Sequence, residues 1–327
     1  MTFWANHRNT LIAIAAVLIA APFVASRPVW LDSAVILGVY ALLALSVGIS
    51  YGQAGILTMS QGAFASVGAY AAALCSARWG WPPFTDLVLA MLLPAVLAYG
   101  VGRVVTRLSP LATALATLAL GSVISIYIRH ADDLTGGYVG FAGIPAIGFI
   151  DTPLEYAVLA WLLVIAVVYG YENLMRSAHG RALNVLQQDQ ARARADGIDV
   201  ARSMSAAFAL SAAIAGIAGW LYAHYVSVLS PESLDTNISV TALLMAVVGG
   251  AGYVLGPIIG TVLFDTLTRL LPAAELQGLF YGLALVVILL VARTGLMGLG
   301  EQLIGAARSG LGRRAAPAAG LPARAAS

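Results

Sequence analysis

Lysine is absent from this chain: all 17 basic residues are arginine. That removes a Walker-type phosphate loop, a Schiff-base lysine and a Ser–Lys dyad, each of which needs the lysine amine. Charge of either sign is scarce, at 10% of 327 residues, whereas a soluble domain carries about 25%. One cysteine, Cys75, cannot close a disulfide within the chain, so cysteine usage is silent on redox compartment. The four histidines (His7, His130, His179, His224) lie far apart without an H-x-x-x-H spacing and make no metal motif. What fills the space is apolar. Hydrophobic residues make up 60% of the chain, and they fall in long blocks separated by short loops. This is the pattern of a polytopic membrane protein, and it excludes a soluble enzyme.

A membrane-crossing helix needs about 20 apolar residues. Read on that length, the blocks predict about ten spans, at 10–24, 31–50, 62–77, 86–105, 111–128, 154–171, 203–226, 238–252, 255–271 and 276–292. The expected fold class is all-α, a polytopic helical bundle of about ten (8–10) transmembrane helices. Several blocks are short, so some of these helices are expected to be tilted, broken or re-entrant. Residues 1–302 form the membrane domain, with its longest inward connection at 172–202. Residues 303–327 are rich in Ala, Gly, Pro and Arg and are expected to be a disordered tail.

Arginine placement gives the orientation, because short cytoplasmic loops collect basic residues. With the N-terminus inside, the inner segments hold Arg8, Arg103, Arg107, Arg176, Arg181, Arg192, Arg194, Arg202, Arg293, Arg308, Arg313, Arg314 and Arg324, which is 13 of the 17. Asp132, Asp133, Asp151, Glu155, Glu232, Asp235 and Glu275 fall on the outer side. Both termini are therefore expected in the cytoplasm. His7 and Arg8, followed by an apolar stretch and Val24-Ala25-Ser26, have the outline of a signal peptide. An uncleaved first helix is the preferred reading, and both leave the other spans oriented alike.

Ionisable residues inside the spans are few. Asp265 and Arg269 are four apart, hence on one helical face. An intrahelical pair near the interface is the plain reading, and a gating role the alternative. No ion-coupling machinery is legible, so the energy for any transport is expected to come from elsewhere.

Glycine is plentiful, with 34 residues. One cluster (Gly48, Gly52, Gly55, Gly62, Gly68) surrounds Gln53, Ser60 and Gln61, and another (Gly249, Gly250, Gly252, Gly256, Gly260) includes Pro257. Such glycines either let backbones approach closely or break helices where backbone lines a wet cavity. Both readings stay open. Leu134-Thr135-Gly136-Gly137-Tyr138-Val139-Gly140, with Gly143-Ile144-Pro145, lies in a long outer loop and is expected to form an ordered, turn-rich cap, with a plain connector as the alternative. His130 beside Asp132 and Asp133 comes nearest to an enzyme-like cluster and reads as loop polarity.

The connection 172–202 holds five arginines, counting Arg202 at its end. Gly180-Arg181 leads into a run of helix formers, Val185 to Asp196, which Gly197 ends as a helix C-terminal glycine. Asp199 is placed to cap the span that follows. This short polar helix is either an arginine anchor at lipid headgroups or a docking element for a cytoplasmic partner.

The order of these motifs resembles the LivM-type permease subunits of branched-chain amino acid ABC transporters (the LivH/LivM permease family). The resemblance rests on Tyr51-Gly52-Gln53-Ala54-Gly55 through Ser60-Gln61-Gly62-Ala63-Phe64, on Leu134-Thr135-Gly136-Gly137, and on Gly180-Arg181-Ala182 to Asp196-Gly197-Ile198. It continues with Ala207-Phe208-Ala209-Leu210-Ser211, Ser230-Pro231 and Gly249-Gly250-Ala251-Gly252. It implies a transporter subunit in the bacterial inner (cytoplasmic) membrane, with no catalytic residue, cofactor, metal or nucleic-acid partner of its own. The implied partners are a LivH-type permease subunit, two cytoplasmic ATPases that hydrolyse the ATP, a periplasmic solute-binding protein and membrane lipid. The implied cargo is a branched-chain or related amino acid, with urea, short amides or other small polar solutes as alternatives. On this resemblance Gln53, Gly55, Ser60, Gln61, Gly62, Thr135, Gly136, Gly137, Gly249 and Gly250 are assigned to the translocation pathway. Gly180, Arg181, Gln188, Asp189, Ala191, Asp196 and Gly197 are assigned to ATPase coupling. Gln187, Gln188 and Gln190 stand where the family places charges, and the family's Arg-Pro-x-Gly-Leu pattern appears only as Arg293-Thr294-Gly295-Leu296. A self-sufficient secondary transporter and a membrane-embedded enzyme are the competing classes.

Overall fold

The computed structural model describes residues 7–25, 28–105, 107–148, 150–270 and 295–302. The predicted span at 276–292 and the tail at 303–327 lie outside them. The described residues are mostly helical. In order it forms α1 (Arg8–Ala25), α2 (Pro28–Val47) running into a π-helical turn (Gly48–Gln53), and α3 (Gln61–Ala73) with a second π turn (Leu74–Arg78). Next come α4 (Pro83–Val105), α5 (Pro110–His130), the short α6 (Asp132–Thr135) and α7 (Pro153–Arg176). Two short helices, α8 (Ala178–Gln188) and α9 (Gln190–Ala195), precede α10 (Val200–Val226), α11 (Thr236–Gly249) and α12 (Gly256–Leu270). The strands β1 (Phe141–Ala142) and β2 (Val228–Leu229) pair antiparallel, Phe141 opposite Leu229.

Each predicted apolar block within the described residues is helical. Among the described residues five helices are long and apolar enough to cross a membrane: Val29–Gln53, Pro83–Val105, Pro110–His130, Pro153–Arg176 and Val200–Val226. The block at 62–77 is helical through α3 and its π turn, the block at 255–271 is helical to its last described residue, Leu270, and the block at 238–252 folds as the 14-residue α11. At 1.5 Å per residue α11 is about 20 Å long, short of the roughly 30 Å hydrocarbon core. An apolar block measures composition; helix length depends on where glycine and capping residues stop it. The expectation of broken helices is met at α2, whose π turn passes into the non-helical stretch 54–60 before α3 resumes. Gly62 N donates to Ser239 Oγ at 2.8 Å, so the starts of the short helices α3 and α11 lie side by side.

Two helices form the centre. The apolar windows of α2 and α10 are 78% and 83% buried, against 28–33% for α4, α5 and α7, which form the periphery. In lipid no hydrophobic effect drives helices together, so contact depends on small residues that let backbones close in. The face of α10 is built that way, with Ala212, Ala215, Gly216, Ala218 and Gly219 buried against α3 and α4. A methyl group at Gly216 would overlap the Ala90 carbonyl, and one at Gly219 the Ala65 carbonyl.

α1 is held to α7 by a buried carboxylate. Glu172 is 3% exposed and accepts from Asn9 N at 2.9 Å, from Thr10 N at 3.2 Å and from the Thr10 hydroxyl. It caps the open N-terminus of α1 from a different helix, satisfying amides that have no intrahelical partner. Glu172→Ala is expected to cost about 1–3 kcal/mol at this contact. Amide hydrogen exchange would rise at Asn9 and Thr10 while α10 stays protected. Uniform exchange across both helices would refute the assignment.

Candidate functional site

The non-helical stretch after α2 is the focus of the structure. A helix leaves its last carbonyls unpaired, and inside a bundle each needs a partner. Here five of them, from Gly48 to Gly52, are paired. Ala54 N donates to Ile49 O at 3.3 Å, Gly55 N to Tyr51 O at 3.1 Å and Ile56 N to Ser50 O at 2.9 Å. Side chains from elsewhere take two more carbonyls. Tyr171 OH of α7 donates to Gly48 O at 3.1 Å, and Gln187 Nε2 of α8 donates to Gly52 O at 2.7 Å. Gln53 turns inward and donates to Tyr171 OH at 2.9 Å and to Gly252 O at 3.1 Å. Gly52 sits so close to the loop between α11 and α12 that a Cβ would fall on the Ala251 carbonyl. The two glycine clusters of the sequence, roughly two hundred positions apart, are therefore one contact. Both of their open readings apply, since close packing and a helix break coincide at this point.

A second polar network lies just above it. Gln61 is fully buried and completely bonded: its Oε1 accepts from Ser46 Oγ at 3.2 Å, and its Nε2 donates to Ser211 Oγ at 3.1 Å and Ser50 Oγ at 3.4 Å. Ser60 Oγ meets Thr58 Oγ1 at 2.9 Å, and Met59 N donates to Thr117 Oγ1 at 3.1 Å. The side chains of Gln53, Ser60 and Gln61 hold the stretch 54–60 in place, while Gly55, at φ +68°, is exposed and lies against Gln187. Gly62 packs on the Asp235 carbonyl and Gly249 on the Gly256 carbonyl, with no room for a Cβ.

The stretch 131–148 is turn-rich, as expected. Thr135 is buried and donates to Ala131 O at 2.9 Å and to Ile128 O, while Gly137 N donates to its oxygen at 3.3 Å. Gly136 and Gly137 have φ of +76° and +56°, a region open to glycine and strained for other residues. Thr135, Gly136 and Gly137 thus shape the turn and stand apart from the break at 54–60. His130 Nδ1 faces Ile126 O at 2.9 Å and its ring packs edge-on to Tyr138, which is loop polarity as read.

One cluster escapes sequence reading altogether. Asp86, in the first turn of α4, and His224, in the last turn of α10, have side chains with no exposure, and Asp86 Oδ2 lies 3.2 Å from His224 Nε2. Trp220 Nε1 donates to Asp86 Oδ1 at 2.7 Å, and His224 Nδ1 lies 2.9 Å from Pro145 O. Tyr156 OH donates to His224 O at 3.2 Å and accepts from Ile147 N at 3.1 Å. A carbonyl only accepts, so Nδ1 carries a proton, and the Nε2–Oδ2 contact needs another. The pair therefore shares one proton and is neutral as a unit, which is how a buried carboxylate avoids its desolvation cost. It locks the loop 141–150 onto α4 and α10. The partners are 138 positions apart, and no spacing rule connects them. Asp265 and Arg269 form the intrahelical pair that was expected, with Nε–Oδ2 at 2.8 Å and Nη2–Oδ1 at 2.9 Å on a partly exposed face of α12.

The segment after α7 differs in one respect from its prediction. A single helix was expected up to Gly197; there are two, broken at Asp189. Asp189 is extended (φ −156°, ψ 108°), and its carboxylate accepts from Ala191 N at 2.7 Å and Arg192 N at 3.2 Å. Capping a new helix outweighs continuing the old one, as expected of aspartate. Gly197 ends α9 at φ +79°, and Asp199 caps α10 through Arg202 N at 2.9 Å, both as read from sequence. Gly180 packs on the Leu174 carbonyl, and Arg181 Nη1 donates to Arg176 O at 3.0 Å. Leu183 and Leu186 anchor α8 in the bundle, while Gln188, Asp189, Ala191, Asp196 and Gly197 are all exposed.

Comparison with known proteins places the chain in a family. The family described as the branched-chain amino acid transport system / permease component matches residues 29–292. The chain belongs to this family. It is 30% identical over 280 residues to the high-affinity branched-chain amino acid transport system permease protein LivM of Escherichia coli (strain K12), covering 77% of this chain and 66% of that relative. The same protein of Salmonella typhimurium aligns with equal identity and coverage. The LivH permease protein of the same system in E. coli K12 is 25% identical over 284 residues, covering 79% of this chain and 91% of LivH. The chain thus spans just under two thirds of the LivM relatives. No solved structure matches. The family is one of multi-pass membrane permeases, in keeping with the apolar helices described above.

Proposed function

We propose that the chain is a permease subunit of an ATP-binding-cassette importer for branched-chain or related amino acids in the bacterial inner membrane. It pairs with a homologous LivH-type permease to form the pore, two cytoplasmic ATPases drive it, and a periplasmic binding protein delivers the solute. The observation that carries the reading is the family match over 29–292 together with a helix break bound directly to an exposed polar hairpin. The orientation follows from arginine placement, with both termini in the cytoplasm, α1 retained, and the short α11 as a partial span.

In this reading the exposed run Gln188, Asp189, Ala191, Asp196 and Gly197 meets the ATPase, and Gly180 and Arg181 fix the corner that positions it. Gly55 and the backbone of 54–60 face the pathway, with Gln53, Ser60, Gln61, Gly62, Gly249 and Gly250 as the packed support behind them. Thr135, Gly136 and Gly137 shape the turn at its outer mouth. Non-helical backbone within a bundle is tolerated where it is buried in protein or lines a cavity, which suits that division.

Proteoliposomes test this. The subunit alone is expected to be inert, and ATP-driven leucine uptake is expected only when the second permease, the ATPases and the binding protein are all present. Uptake of urea in preference to leucine would move the cargo to short amides. Uptake by the lone subunit down an ion gradient would overturn the importer.

A further inference from the structure

We propose that Gln187 is the joint through which the α8–α9 hairpin moves the broken end of α2. The inference rests on the importer reading and adds a positioning residue to it. Gln187 is exposed like its neighbours in the hairpin, but it turns to the bundle, where its amide donates to Gly52 O at 2.7 Å. That carbonyl belongs to a π-helical turn. A π turn holds one more residue than the α-helix around it, so it can slide by a residue at small cost and commonly marks a functional site.

Four elements cross at this point: the end of α2, α7 through Tyr171, the α11–α12 loop through Gly252, and α8 through Gln187. Of these, only α8 continues directly into the exposed hairpin. Gln187 lies two residues before the break at Asp189, so displacement of α9 pivots at that break and pulls on the Gln187 amide. Exposed glycine at position 55 leaves room for the swing, because Gly55 meets Gln187 only at van der Waals distance, 3.8 Å from an added Cβ to Cγ. A charged side chain would be a poor joint in one case: glutamate presents oxygen to oxygen. Glutamine supplies the donor without a charge to desolvate.

The test uses the assembled transporter in liposomes with leucine as the transported probe. Gln187→Ala is expected to lower uptake per ATP hydrolysed by about tenfold, within the ordinary range of coupling between sites, with hydrolysis near the wild-type rate. Gln187→Lys, which keeps an N–H donor of sufficient reach, is expected to restore uptake, and Gln187→Glu is not. Amide exchange at Ala54, Gly55 and Ile56 should rise in Gln187→Ala and return in Gln187→Lys, whether or not leucine is the cargo. Unchanged uptake per ATP, or unchanged exchange at these amides, overturns the joint. Equal loss of uptake and hydrolysis would make Gln187 a structural residue and overturn it as well. Failure of the wild-type assembly to couple uptake to ATP would count against the importer reading, and the exchange result would still decide the joint.

Discussion

Asp86→Ala is expected to destabilise the subunit by about 3–5 kcal/mol, the usual cost of removing one member of a buried ionisable pair. Alanine strands the Trp220 indole N–H and the His224 imidazole in a site with no exposure. It also frees the loop 141–150, which His224 holds through Pro145 O at 2.9 Å. Asp86→Asn is expected to cost far less. With His224 neutral and its Nδ1 proton on Pro145, the asparagine N–H donates to Nε2 and its oxygen accepts from Trp220, so every partner survives. The contrast between the two variants is the check, read by thermal unfolding of the detergent-solubilised subunit. Equal loss in both would mean that the net charge of the carboxylate, and not the bonding pattern, stabilises the site.

Gly219→Ala is expected to be nearly as damaging, at about 1–3 kcal/mol or more, the range for overpacked cores. The added methyl would overlap the Ala65 carbonyl and approach Ala69 N at 3.0 Å, and both are backbone atoms that cannot rotate away. To accept it, α3 must move off α10, and α3 carries the end of the stretch 54–60. Gly170→Ala in α7 is the control. Nothing lies within 4 Å of a Cβ there, so it is expected to be neutral or to gain up to about 1 kcal/mol from helix propensity. Thermal unfolding of the two variants side by side separates the outcomes. A similar fall in both would show that these glycines serve flexibility and not close packing.

The polar residues of the first glycine cluster show how far sequence pattern reaches. Gln53, Ser60 and Gln61 stand out as polar groups among glycines, and that signal led to the helix break at 54–60. Their direction was not legible. Gln61 points at Ser46, Ser50 and Ser211, residues on two other helices, and only a three-dimensional arrangement selects those partners. Gln187 was visible as a departure from charge, yet its partner, Gly52, lies 135 positions away.

Composition and periodicity determined the class of this protein: a helical membrane protein, with glycine marking points of close approach. Local chemistry also sufficed for the caps at Gly197 and Asp199 and for the pair at Asp265 and Arg269, because each is settled within four residues of chain. Only the tertiary structure decided the rest. Whether an apolar block becomes a full span or a short helix depends on what meets its ends, and α11 stops at Gly249, against which the Gly256 carbonyl packs. The Asp86–His224 pair, the Glu172 cap and the Gln187–Gly52 bond join residues more than 130 positions apart. Buried polar groups must find partners wherever the fold brings them, and that demand leaves no trace in local spacing.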